Sequence, residues 1–220
     1  MSTVRQFGLW HNGKRLTCGT GDDIRVYDID NGKLTLGPLR GHRGREGPVY
    51  SMLWSRDGSR LFSGSRDKTI RCWNSDTGEH IGQPWTGHTP WIKSLSLSPD
   101  GSILANVSGD KTVCFWDATS GHPIGQYLQH NHPILAIGFS PSGEFMASAG
   151  RNGNLYVWRA PQLNSIESQV VTPGLSVFIL IVPHPTDKPS CSPRSGTGHC
   201  VLRANVPPPT TTILCPYSCC

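Results

Sequence analysis

Nearly the same nine residues occur twice in the chain: "SRDKTIRCW" from Ser65 to Trp73 and "SGDKTVCFW" from Ser108 to Trp116. The closing tryptophans are 43 residues apart, and a third copy, "AGRNGNLYVW", ends 42 residues later at Trp158. A weaker copy, "GTGDDIRVY", ends at Tyr27. Each lies downstream of a turn signal: His11-Asn12-Gly13, Arg56-Asp57-Gly58, Pro99-Asp100-Gly101 and Pro141-Ser142-Gly143. Three follow Gly-His or a variant of it, at Gly41-His42, Gly87-His88 and Gln129-His130. A recurrence of this period marks a repeat architecture, in which each unit buries its apolar faces only against its neighbours.

Composition narrows the fold class. The 220 residues include 25 Gly and 18 Pro, and no long stretch has a 3.6-residue apolar period. Short segments rich in Val, Ile, Trp and Tyr alternate with turn residues, which predicts an all-β chain. The formal charge of +5 is spread through the turns, so it argues only weakly for a nucleic-acid partner. Met1 to Trp10 holds no apolar run of signal-peptide length, and Val177 to Val182 is too short to span a bilayer. The expectation is an intracellular protein, cytoplasmic or nuclear, with reduced thiols and no membrane partner.

The second copy predicts one structural unit. Val49 to Trp54 reads as a strand, Arg56-Asp57-Gly58 as a turn and Leu61 to Ser65 as a second strand. Arg66-Asp67-Lys68 is a tight turn, Thr69 to Trp73 a third strand and His80 to Trp85 a fourth. Four short antiparallel strands make one sheet, buried on both faces once similar sheets flank it.

The Gly-His, the Asp-Lys-Thr turn and the Trp-Asp ending resemble WD-repeat β-propellers over residues 4 to 160. Trp116-Asp117 keeps that ending, while Trp73-Asn74 and Trp158-Arg159 have lost its acid. The phrase "IGQPWTGHTPWIKSLSLSPDG" is similar to the long repeat arrays of fungal NACHT-type proteins linked to vegetative incompatibility. The resemblance implies blades at about 4–38, 48–86, 91–128 and 134–171, within a repeat domain over 1–172. It also implies a buried hydrogen-bond chain in each blade, running from a turn Asp to a His, then to a strand hydroxyl and a Trp. Blade two has all four as Asp67, His42, Ser63 and Trp73. Blade three has His88, Asp110 and Trp116 with Asn106 at the hydroxyl position. Blade four has His130, Ser148 and Trp158, with Asn152 in place of the acid. Blade one offers Cys18, Asp22 and Tyr27 without a His. Blade two is therefore expected to be the most rigid.

A Ser-His-Asp set also invites a hydrolase reading. No Gly-x-Ser-x-Gly elbow precedes a helix, and a nucleophilic triad occurs once in an enzyme rather than in every repeat. No glycine-rich phosphate loop appears, so the expectation is a non-enzymatic chain without cofactor or metal.

Composition changes near Pro173. Residues 173–220 hold nine of the 18 prolines and five of the eight cysteines, with no repeat motif. Cys191, Cys200, Cys215, Cys219 and Cys220 fit no zinc spacing, and the ending is not a Cys-a-a-X box. This segment reads as a low-complexity, disordered tail, of the kind that a retained intron or a frameshift would supply. Ser165 to Val171 is the expected fourth strand of blade four. Four blades with a seven-blade wedge angle would leave two apolar end sheets, so self-association is expected, with two arrays pairing into eight blades.

By resemblance, partners bind the top face, around the start of each first strand and the residue before the turn Asp. In this sequence those positions include Arg5, Tyr50, Arg66, Trp91, Lys93, Leu135 and Arg151. The set is basic and aromatic, which suits an acidic or phosphorylated protein segment, because Arg binds carboxylate and phosphate bidentately. Two alternatives stay open: Trp91 as a core anchor of blade three, and nucleic-acid binding through the same face. The expected function is a protein-interaction scaffold, the recognition end of a larger fungal protein.

Overall fold

A computed structural model of the chain describes residues 4–10, 13–42, 47–161 and 178–180. Four antiparallel sheets of four strands each follow one another along the sequence. Blade one contains β1 (Val4–Leu9), β2 (Arg15–Thr20), β3 (Asp23–Asp28) and β4 (Leu34–Arg40). Blade two contains β5 (Val49–Trp54), β6 (Arg60–Ser65), β7 (Thr69–Asn74) and β8 (Trp85–Thr86). Blade three contains β9 (Ile92–Leu97), β10 (Ile103–Ser108), β11 (Thr112–Asp117) and β12 (Leu128–Gln129). Blade four contains β13 (Ile134–Phe139), β14 (Phe145–Gly150), β15 (Leu155–Arg159) and β16 (Phe178–Leu180).

The fourth strands depart from expectation. His80 to Trp85 does not pair throughout: His80 makes one isolated bridge to Trp73, and the ladder resumes only at Trp85–Thr86. Gly82 has a φ of 70°, and Pro84 has no N–H to donate, so the segment leaves the sheet between these two points. In blade four the strand beside β15 is Phe178–Leu180. The expected Ser165–Val171 strand and the rest of the tail lie outside the described residues.

The tight turns between second and third strands have a common backbone. Lys68 and Lys111 have φ of 72° and 71°, and Gly153 takes the same place in blade four with 79°. In blade two the turn is closed by Asp67, whose carboxylate accepts the Thr69 backbone N–H at 3.0 Å and its hydroxyl at 2.7 Å.

The apolar core falls into three clusters, one at each junction between successive blades. Ile24, Val26 and Leu39 of blade one meet Met52, Trp54, Leu61 and Trp73 of blade two. Phe62, Ile70, Cys72 and Trp85 then meet Ile92, Leu95, Leu104 and Trp116. Ala105, Val107, Val113 and Phe115 meet Ile134, Ile137, Met146 and Trp158. Each such side chain removed from water contributes about 1.5–3 kcal/mol. Polar clamps cross the same junctions. The Leu95 N–H donates to Ser51 Oγ at 3.0 Å, the Phe139 N–H donates to Ser96 Oγ at 3.1 Å, and the Arg60 guanidinium reaches the Thr119 carbonyl at 3.0 Å.

Candidate functional site

The candidate residues fall into two sets: the buried polar chains inside the blades and the rim of side chains at the first-strand starts. In blade two, His42 Nδ1 lies 2.9 Å from Asp67 Oδ2 and its Nε2 lies 2.7 Å from Ser63 Oγ. Trp73 donates its indole N–H to the same Ser63 Oγ at 2.8 Å. Burial opposes the Asp67 charge, but the hydrogen bond and charge of His42 and the bonds from Thr69 hold its pKa down to about 2. Ser63 is fully buried and His42 nearly so, so no substrate reaches this Ser-His-Asp set. Its geometry is that of an internal brace.

The braces in blades three and four are partial. His88 Nδ1 lies 2.7 Å from Asp110 Oδ2, and Trp116 donates to Asn106 Oδ1 at 2.7 Å. His88 Nε2 and Asn106 Nδ2 are buried without hydrogen-bond partners. Burial disfavours a charged His88, yet the Asp110 bond, the Cys114 thiol beside the ring and the Asp110 charge push its pKa up to about 9. In blade four Trp158 donates to Ser148 Oγ at 3.1 Å, and His130 Nε2 lies 3.5 Å from that oxygen. With no acid beside it, His130 is driven down to about 4 by burial. Asn152 turns away and donates to the Tyr156 hydroxyl at 3.4 Å. Tyr156 packs edge-on against His130 at 4.8 Å. The sequence signal for Tyr156 was an aromatic two residues before the closing Trp, where blade three has Cys114 and blade two Arg71.

At the rim, one backbone device recurs in all four blades. Val49 pairs with Ser65 and Ser51 with Gly64, leaving Tyr50 as an extra residue in the ladder. The same irregularity isolates Lys93 between Ile92 and Ser94, and Leu135 between Ile134 and Ala136. On blade one it isolates Arg5 between Val4 and Gln6. A β-bulge re-aims the side chain of its extra residue away from the sheet. Val49, Ile92 and Ile134 beside the bulges stay buried in the core. In blades two and four the residue before the tight turn is tied to the same edge: Arg66 N–H donates to the Pro48 carbonyl at 3.0 Å, and Arg151 N–H to that of Pro133 at 2.8 Å.

Four of the rim residues come together. The Arg66 guanidinium lies 4.0 Å from the centre of the Trp91 ring. Tyr50 and Trp91 stack at 6.2 Å with 20° between their planes. Lys93 Nζ lies 4.6 Å from the Trp91 ring and 4.9 Å from that of Tyr50. Trp91 is thus half-buried at the surface under two cations, outside the core clusters. Burial, then the charges of Arg66 and Arg151, lower the Lys93 pKa. Among the described residues, none of these three cations forms an ion pair. The Arg66 Nε is buried without a hydrogen-bond partner. Leu135, 47% exposed, holds the bulge on blade four, and for Arg5 only the backbone is described.

Among the described residues no three His, Cys, Asp or Glu side chains cluster as metal ligands, and no helix is long and apolar enough to cross a membrane.

The chain is similar to several known proteins. It is 31% identical over 145 residues to "Transcription factor unc-37" of Caenorhabditis elegans, covering 66% of this chain and 22% of that protein. It is 41% identical over 64 residues to "Intraflagellar transport protein 122 homolog" of Mus musculus, covering 29% of this chain and 5% of the relative. It is 31% identical over 81 residues to "Serine-threonine kinase receptor-associated protein" of Gallus gallus, covering 37% and 22%. The chain therefore spans less than a quarter of the length of each of these relatives. The family model described as "WD domain, G-beta repeat" matches residues 34–74, 79–117 and 121–159. Each window takes in the outer-strand segment of one blade and the first three strands of the next. With these windows covering more than half of its residues, the chain belongs to the WD-repeat family.

Proposed function

We propose that the chain is a non-enzymatic recognition module that binds an acidic or phosphorylated protein segment on the rim formed by Tyr50, Arg66, Trp91 and Lys93, with Arg151 nearby. Two cations, Arg66 and Lys93, gathered without an acidic partner over an aromatic platform, with the Arg151 charge acting on Lys93, carry this reading. Like charges held together cost free energy in the unbound protein, and an anion relieves that cost while filling the free donors. The Arg66 fork grips carboxylate or phosphate oxygens, and the flat faces of Trp91 and Tyr50 receive the apolar part of the segment. The relatives' names supply indirect support, since they range over transcription, intraflagellar transport and receptor association with no one reaction in common. An intracellular setting goes with this reading. The narrower likeness to fungal NACHT-type arrays rests on one sequence phrase and goes with a role in signalling.

Fluorescence anisotropy tests the proposal with three labelled peptides of one sequence, carrying phosphoserine, glutamate or serine at the central position. Binding should follow the order of negative charge and weaken with salt. Arg66→Ala should weaken it by about 10-fold or more, the loss of one charged hydrogen-bonding group. Equal binding of all three peptides, or an unchanged affinity in Arg66→Ala, overturns the reading. A single-stranded oligonucleotide run in parallel tests the alternative: tighter binding than any peptide, with a steep salt dependence, favours nucleic acid.

A further inference from the structure

The junction between blades one and two sets large side chains against small ones, and the two ends of the array repeat that contrast. The face that blade two turns toward blade one carries Met52, Trp54, Leu61 and Trp73. The face it meets is built from smaller residues on the other side of blade one, namely Gly8, Thr17, Gly19, Ile24 and Val26. Both glycines lie against Met52. A Cβ on Gly8 would stand 3.4 Å from the Met52 carbonyl oxygen, and one on Gly19 would stand 3.4 Å from Met52 Cε.

Strand register transfers these positions to the ends of the array. On the outer side of blade one, Phe7, Leu9, Leu16 and Tyr27 occupy the places of Met52, Trp54, Leu61 and Trp73. Phe7 and Leu9 are 65% and 59% exposed, against 6% and 8% for Met52 and Trp54. On the outer side of blade four, Gly138, Ala147, Ala149, Leu155 and Val157 occupy the places of Gly8, Thr17, Gly19, Ile24 and Val26. A Cβ added at Gly138 meets nothing within 4 Å. One end is the large half of a junction and the other is the small half. None of the three core clusters joins blades one and four of the same chain.

We propose that these end faces are complementary halves of one interface, and that two copies of the chain close into a ring. Blade one of each copy packs on blade four of the other, so that two identical junctions are related by a two-fold axis. The ring holds eight sheets, inside the range of about four to eight for propellers. A second copy is the occupant because its own ends supply the large-into-small match of the blade one–blade two junction, with Phe7 of one copy opposite Gly138 of the other. Phe7 and Leu9, left wet on the outer side of blade one, supply an apolar patch of the kind that drives association.

Size exclusion with light scattering on the full chain at tens of micromolar tests the ring. The expected mass is twice that of the chain. Phe7→Lys and Gly138→Glu should each halve it, since every ring contains both faces twice. Mixing the two variants should restore the double mass: one junction is then unaltered and the other sets Lys against Glu. A monodisperse wild-type monomer, a polydisperse ladder of larger species, or a dimer indifferent to Gly138→Glu overturns the proposal. Circular dichroism establishes that each variant keeps its β structure, and Leu9→Lys replaces Phe7→Lys should the latter fail to fold.

Discussion

The Asn106 side chain accepts the Trp116 indole N–H at 2.7 Å, the bond that Ser63 accepts from Trp73 in the neighbouring blade. The Ser63 hydroxyl also reaches His42, whereas Asn106 leaves both its own Nδ2 and His88 Nε2 unpartnered. A rotatable hydroxyl donates and accepts through one atom, while an amide splits the two roles between atoms set apart. Asn106→Ser should therefore complete the brace and stabilise the protein by about 1 kcal/mol. Urea unfolding checks this, and a lower midpoint would show that the volume of Asn106 matters more than the missing bond.

The blades should respond unequally to loss of their turn residues. Asp67→Ala removes the partner of His42 and of the Thr69 turn, a loss of about 1.5–3 kcal/mol. Asn152 is exposed and touches only the turn and the Tyr156 hydroxyl, so Asn152→Ala should cost about 0.5 kcal/mol or less. Equal shifts in thermal midpoint would contradict this ranking.

Two histidines should set opposite slopes of stability against pH. His130 titrates at about 4 in the folded chain, below the 6.5 of a free imidazole. The unfolded state therefore binds more protons between these values, and stability falls as pH drops from 6.5 to 4. His88 is raised to about 9, so its contribution is complete below 6.5 and disappears as pH rises through 9. Urea midpoints across pH 4 to 10 should show the acid slope flattened in His130→Gln and the alkaline slope flattened in Asp110→Asn. A wild-type profile in either variant assigns that slope elsewhere.

Lys68 and Lys111 hold left-handed backbone with side chains in solvent. That conformation costs a non-glycine residue about 1–2 kcal/mol, and glycine gives back about 0.5–1 kcal/mol through its freer unfolded chain. Lys68→Gly and Lys111→Gly should each stabilise the protein by about 0.5–1 kcal/mol in differential scanning calorimetry. Destabilisation would reveal a role for the lysine side chains.

The first three strands of blade two were legible because strong local signals bracket them: Arg56-Asp57-Gly58 at the first connection, Asp67-Lys68-Thr69 at the second, and Trp73 at the close. The outer strands were not. Between His80 and Trp85 the apolar residues suggest a continuous strand, but Gly82 and Pro84 break the ladder and only the spacing of the next blade brings Trp85 back to Ile70. The residues of the rim were legible by position, since each occupies the same place in its repeat. Their convergence was not, because Arg66, Trp91 and Lys93 come from two different blades and meet only when these stack. Sequence left open whether Trp91 anchors blade three from within, and its place beneath the Arg66 guanidinium answers that question.

The offset between the matched repeats and the sheets has a consequence for how such arrays grow. A copied window such as 79–117 brings the outer strand for the blade before it and three strands of a new blade. The outer strand that this new blade lacks is already present at the start of the segment that follows. Tandem duplication or loss of one window therefore leaves every internal sheet with four strands and no raw edge to aggregate. A genome can lengthen or shorten the array by a single unequal exchange, and the product can fold at each step.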